Sequence, residues 1–172
     1  NDWKSLFKLL NNIDNNITVF DGEFTVLIVN DCSTEKIPKP SFNFKKIKSI
    51  DLINIKKNQG HTRCNATGIK YLSEKKDFDY MILMDGDGED NPSDLPVIIK
   101  KVLEKKNISV VATRKKRSEG LLFTMFYNLH KIITLIFTGK NMNFGHYSCL
   151  TKEDIILLSS KKTLWSNFAG TA

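Results

Sequence analysis

Between Tyr80 and Pro92 the chain reads YMILMDGDGEDNP, an apolar run of strand length that empties into four carboxylates within six residues. Asp85, Asp87, Glu89 and Asp90 are spaced by Gly86 and Gly88 and closed by the turn-forming pair Asn91 and Pro92. Carboxylates at this density repel one another unless water solvates them or a hard cation shares them, and oxygen ligands suit Mg²⁺, Mn²⁺ or Ca²⁺. A solvated acidic turn with no ligand accounts for the same residues about equally well. An EF-hand loop counted from Asp85 is excluded, because it needs glycine at residue 90 and glutamate at residue 96, where the chain has Asp90 and Pro96.

The elements that must position this loop follow from periodicity. Apolar residues at Trp3, Leu6, Phe7, Leu10 and Ile13 predict a helix over Trp3 to Ile13 with Asp2 as its N-cap. Phe24 to Val29 reads as a strand ending in a polar loop, Asn30 to Thr34, before a Pro/Lys-rich connection through Pro38 and Pro40. Ile50 to Ile55 is a second strand, closed by Lys56 to Gly60. A helix follows over His61 to Lys75, with Ala66, Ile69, Tyr71 and Leu72 facing inward. After the strand at Tyr80 to Met84, Ser93 to Lys106 reads as a helix that tolerates Pro96 only in its first turn. Ile108 to Thr113 is a fourth strand. Leu121 to Phe137 is apolar but interrupted by Asn128, His130 and Lys131 and short for a bilayer span, so a packed or interfacial helix is expected. Met142 to Leu150 reads as a turn and strand. Lys152 to Ser159 is a helix whose Glu153 and Asp154 suit its first turn.

Apolar strands alternating with helices predict an α/β fold, a mostly parallel sheet covered by helices on both faces. Ligands in such sheets bind beyond the carboxyl ends of the strands. Asp31, Asn58 to Gly60, Asp85 to Asp90 and Arg114 to Arg117 each follow a strand, which places them along one edge. Acids for a metal and bases for phosphates would meet there.

The 172 residues fit one domain that buries roughly 70% of its unfolded surface. Cys32, Cys64 and Cys149 are odd in number and lack metal-binding spacing, so they read as reduced thiols of a cytoplasmic protein. No secretory signal is visible, and the start at Asn1 suggests a piece of a longer chain. The formal charge of +7 suits an anionic partner, and it is concentrated. Eight basic residues against one acid lie between Lys100 and Arg117. There are no internal repeats or low-complexity tracts.

Three segments taken together resemble glycosyltransferase family 2, and the resemblance covers nearly the whole chain. VNDCST at Val29 to Thr34 is similar to that family's V-D-D-x-S-T loop, NQGHTRCNATG at Asn58 to Gly68 to its N-x-G-x-x-x-A-x-N-x-G segment, and DGDGEDNP to its metal-binding D-x-D region. RKKRSEG at Arg114 to Gly120 and NFGHYSCL at Asn143 to Leu150 look most like the branch of dolichyl- and polyprenyl-phosphate sugar transferases. A phosphatase with an Asp-x-Asp nucleophile is a remote alternative, since that motif usually opens its domain and carries Thr or Val where Glu89 stands.

The resemblance implies a GT-A domain over residues 1–172, lacking the family's first strand and its C-terminal membrane-associated region. It implies a metal-dependent, inverting transfer of sugar from a nucleotide-diphosphate sugar to a polyprenyl phosphate at the cytoplasmic face of a membrane, with peripheral contact to anionic lipid and no nucleic-acid partner. Transfer to a saccharide hydroxyl, or a catalytically silent nucleotide-sugar-binding protein, are the alternatives. Asp31 would read the base; Asn58, Gly60 and Asp85 would line the nucleotide. Arg63 would reach the nucleotide or be an ordinary solvated helix residue. Asp85, Asp87 and Glu89 would hold Mg²⁺ or Mn²⁺, with Asp87 the main ligand. Arg114 and Arg117 would hold the acceptor phosphate, as guanidinium forks match phosphate geometry. Such an acceptor is already anionic and needs no general base, whereas a hydroxyl does. Glu153 and Asp154, the one late acidic pair, are expected to cap a helix.

Overall fold

The computed structural model describes residues 3–37, 43–75, 77–105, 108–113 and 146–171. Asp2, Pro38, Pro40, Lys106, Arg114, Arg117, the Leu121 to Phe137 segment with His130, and the start of the late strand at Met142 lie outside them. Helix α1 spans Trp3–Asn16, strand β1 Phe24–Asn30, strand β2 Ile47–Asn54, helix α2 His61–Lys75, strand β3 Tyr80–Leu83, and helix α3 Leu95–Glu104. Strand β4 is Val110–Val111, β5 Ser148–Thr151, α4 Lys152–Ser160 and α5 Phe168–Thr171. Short 3₁₀ turns at Pro92–Asp94 and Lys162–Trp165 lead into α3 and α5.

Strands β1 and β2 pair in parallel, with Val26 opposite Ile50 and Asn30 opposite Asn54. The second sheet has the order β3-β5-β4, and β5 runs antiparallel to both neighbours. The expectation of a mostly parallel sheet is therefore corrected among the described residues. Apolar runs declare burial but not direction, and β5 lies between β3 and β4 with all four residues buried.

Helices cover both faces, as expected. Alternation from Tyr147 into β5 sends Tyr147 and Cys149 into a core with Ile98, Ile99 and Val102 of α3 and Ile17 beyond α1. It sends Leu150 into a second core with Ala66 and Ile69 of α2, Ile155 and Leu158 of α4, and Phe168 of α5. Helix α2 also lies close on β1, where a Cβ on Gly68 would stand 3.2 Å from Val29 Cγ2. A side chain there would force the Val29 methyl or the helix to give by a few tenths of an ångström.

Two polar clasps tie distant segments together. The buried Asp14 carboxylate accepts the backbone N–H groups of Lys45 at 2.8 Å, Lys46 at 2.8 Å and Ile47 at 2.9 Å, anchoring the start of β2 to α1. At α4, Thr151 Oγ1 accepts the Asp154 N–H at 3.2 Å as an N-cap, and the Asp154 carboxylate accepts the Ser109 hydroxyl beside β4. Glu153 and Asp154 thus open a helix, as the sequence predicts.

Candidate active site

The parallel pair β1 and β2 delivers its carboxyl ends to one edge, and Asn30 organises that edge. Its Nδ2 donates to Asn54 Oδ1 at 2.8 Å, and its Oδ1 accepts the Ser33 N–H at 3.2 Å. Asp31 follows, and Cys32 behind it sits at φ 60°, a left-handed conformation that costs a non-glycine residue roughly 1 kcal/mol or more. The bend turns Asp31 toward the loop after β2. Its Oδ1 accepts the Gln59 N–H at 2.7 Å and its Oδ2 the Gly60 N–H at 2.8 Å. Gly60, at φ 81°, then opens α2, its carbonyl accepting the N–H groups of Arg63 and Cys64 at 3.1 Å.

Asp31 is thereby a structural clasp as well as a candidate base reader. Partial burial works against its charge, but the two backbone bonds and the Cys64 thiol outweigh it and hold the carboxyl below its usual range. The Cys64 thiol is pushed up to about 11, first by burial and then by the Asp31 charge and hydrogen bond. Of the carboxylate's roughly four acceptor positions, these three donors leave about one for a ligand. Arg63 is exposed and its Nη1 donates to Gln59 Oε1 at 2.8 Å, so the guanidinium lies along the same loop. Asn58 is exposed there too.

The acidic loop sorts its four carboxylates. Asp90 is buried and its Oδ2 accepts the Asp85 N–H at 2.9 Å, so it buttresses the loop from within. Asp87 Oδ1 accepts the Glu89 N–H at 2.9 Å, and Gly88 at φ 89° permits that tight turn. Asp85 is half-buried, while Asp87 and Glu89 are exposed. Among the described residues no three His, Cys, Asp or Glu side chains converge as a ready-made metal cage. Hard oxygen donors in an open loop fit the other way of holding Mg²⁺ or Mn²⁺, through one or two carboxylates completed by water and ligand phosphates.

Two histidines outside the expected site residues join these loops. His61 opens α2 directly after the Asp31 clasp, and its ring meets that of His146 edge-on at 5.1 Å and 90°. His146 stands just before β5 and stacks on Phe168 at 5.5 Å and 30°. Burial chiefly lowers the His146 pKa, and His61 adds to this, while Asp85 and Asp90 act in the opposite sense. The Asp31 loop, the Gln59 to His61 loop and the acidic loop are thus neighbours at one edge. Arg114 and Arg117, the fourth predicted group, lie outside the described residues. Both lie inside segments that carry the family resemblance, NQGHTRCNATG and NFGHYSCL, but their pairing is not legible there, because each ring meets a partner far away in sequence.

Comparison with known proteins accords with this arrangement. A family model described as "Glycosyl transferase family 2" matches residues 1–159. The uncharacterized protein MJ0544 of Methanocaldococcus jannaschii is 26% identical over 117 residues, which cover 67% of this chain and 48% of that protein. The chain thus spans about half the length of this curated relative. Among the described residues no helix is long and apolar enough to cross a membrane.

Proposed function

Because the chain belongs to glycosyl transferase family 2, we propose that it carries the catalytic domain of a metal-dependent, inverting transferase that moves a sugar from a nucleotide-diphosphate sugar to a polyprenyl phosphate. The observation that carries this reading is the meeting of three strand-end loops at one edge, through the Asp31 bonds to Gln59 and Gly60 and the His61–His146 contact. Asp31 offers its remaining acceptor position to the imide edge of a nucleobase. Asp87 and Asp85 supply oxygens for a divalent cation, with Glu89 next to them. Such a cation, when bound, stabilises the charge that builds on the departing nucleoside diphosphate.

The polyprenyl-phosphate acceptor is supported by the cluster Arg114 to Arg117 after the fourth strand and by the commitment of Asp154 to the α4 cap. An acceptor phosphate is already anionic, so no general base is required of the chain. A thermal-shift panel of UDP-, GDP- and dTDP-sugars with and without Mn²⁺ tests the donor half, since a ligand bound only by the folded form raises its apparent stability. One nucleotide should stabilise the parent chain in a Mn²⁺-dependent way and lose that effect in Asp87→Ala. Arg114→Ala with Arg117→Ala should abolish transfer to a short-chain polyprenyl phosphate while donor binding persists. Retained transfer in that double variant would remove the two arginines from the acceptor site, and activity on free saccharides alone would replace this acceptor by a sugar hydroxyl.

A further inference from the structure

We infer that His61 and His146 form a positioning pair that holds the donor's diphosphate between the Asp31-clasped loop and the acidic loop; this rests on the glycosyl-transfer reading above. The two rings come from separate elements, the first residue of α2 and the residue pair preceding β5, and they meet at the boundary of the two loops. Edge-to-face contact at 5.1 Å and the stack on Phe168 at 5.5 Å fix the His146 ring before any ligand arrives. Phe168 is only 1% exposed, so the backing of that stack is rigid. A donor held in place beforehand loses little freedom on binding, which is how preorganised groups raise affinity.

The hydrogen-bonding inventory identifies the ligand chemistry. A diphosphate is an acceptor throughout, and so are the ionised side chains of Asp31, Asp85, Asp87 and Glu89. Whatever a cation neutralises, the remaining phosphate oxygens need N–H donors from the groups that stand between the two loops. Arg63 has one Nη committed to Gln59. The imidazoles add donors from a second direction: His61 Nε2 lies a long 3.4 Å from Thr62 Oγ1, and the His146 ring makes no hydrogen bond to a described residue. An imidazole carries at least one N–H in either charge state, so the pair donates without requiring a particular protonation. Packing alone would be served equally by phenylalanine, which stacks on Phe168 and meets a second ring in the same way.

The test therefore uses His146→Phe and His61→Phe, each keeping a ring and removing its nitrogens. Calorimetry with saturating Mn²⁺ compares UDP with UMP and GDP with GMP, taking the base that the parent binds better. The parent should bind its diphosphate more tightly than its monophosphate. Each variant should keep its melting temperature and monophosphate affinity and lose roughly tenfold of the diphosphate advantage, equivalent to about 1.4 kcal/mol. His146→Asn, which restores an N–H donor, should recover part of it. An unchanged diphosphate advantage in both Phe variants overturns the inference and leaves the transferase reading standing. A parent chain that prefers neither diphosphate overturns both.

Discussion

Replacing Asp31 by asparagine isolates the carboxylate's structural work from its proposed work on a nucleobase. The side chains have the same shape, but an amide presents one oxygen where the carboxylate presents two. Gln59 N–H at 2.7 Å and Gly60 N–H at 2.8 Å each occupy a separate oxygen, so in Asp31→Asn one of them must face an NH₂ group. A hydrogen bond to a charged group contributes about 1.5–3 kcal/mol, and the half-exposed position lets water recover part of that. The expected cost is about 1 kcal/mol for Asp31→Asn and about 2 kcal/mol for Asp31→Ala, which loses both bonds. Urea denaturation reads this as a lower midpoint at constant slope. Amide exchange at Gln59 and Gly60 should accelerate by roughly fivefold to tenfold, because the loop opens more easily. Nucleotide affinity should fall as well, by roughly 1–3 kcal/mol if the remaining lone pair meets the base. An unchanged midpoint together with unchanged exchange at those two amides would refute the clasp, whatever happened to nucleotide binding.

Asp14→Ala should destabilise the fold by about 2 kcal/mol in the same denaturation assay, since the buried Ile47 N–H and the part-buried Lys45 and Lys46 N–H groups lose their acceptor, at about 1 kcal/mol for the buried one and less for the others. Burial pushes the Asp14 carboxyl upward, but those bonds and the nearby Lys45 charge leave it below the ordinary 3.8. The unfolded chain therefore takes up this proton first on acidification. The stability it contributes is complete above that value and lost as pH falls through the lower folded value, so Asp14→Asn should flatten the acid limb of stability against pH. A disulfide reagent at pH 8 should modify one of the three thiols in the folded chain, Cys32, which is exposed. Cys64 and Cys149, pushed up to about 11 and about 12 chiefly by burial, should react only on unfolding. Asp31→Asn should quicken Cys64 by removing the charge that holds its proton.

The local elements and the motifs at their ends are legible in neighbouring residues. Helix α2 begins and ends where its period and Gly60 place it, and α3 keeps Pro96 in its first turn, because these limits are set by residues a few positions apart. Boundaries drifted where packing took over: β2 starts earlier than Ile50, at Ile47, where the Asp14 clasp holds it, and β4 shortens to Val110–Val111. Packing across the fold set β5 antiparallel between β3 and β4, since alternation and apolarity are the same in either direction. It also decided that Asp90 turns inward while Asp87 faces out, although the two are chemically alike in the sequence. The meeting of His61 with His146 belongs to the same class. A hydrophobic period is written into neighbouring residues, whereas a hydrogen bond or ring contact across the fold depends on how two remote elements are packed, and no local pattern encodes that distance.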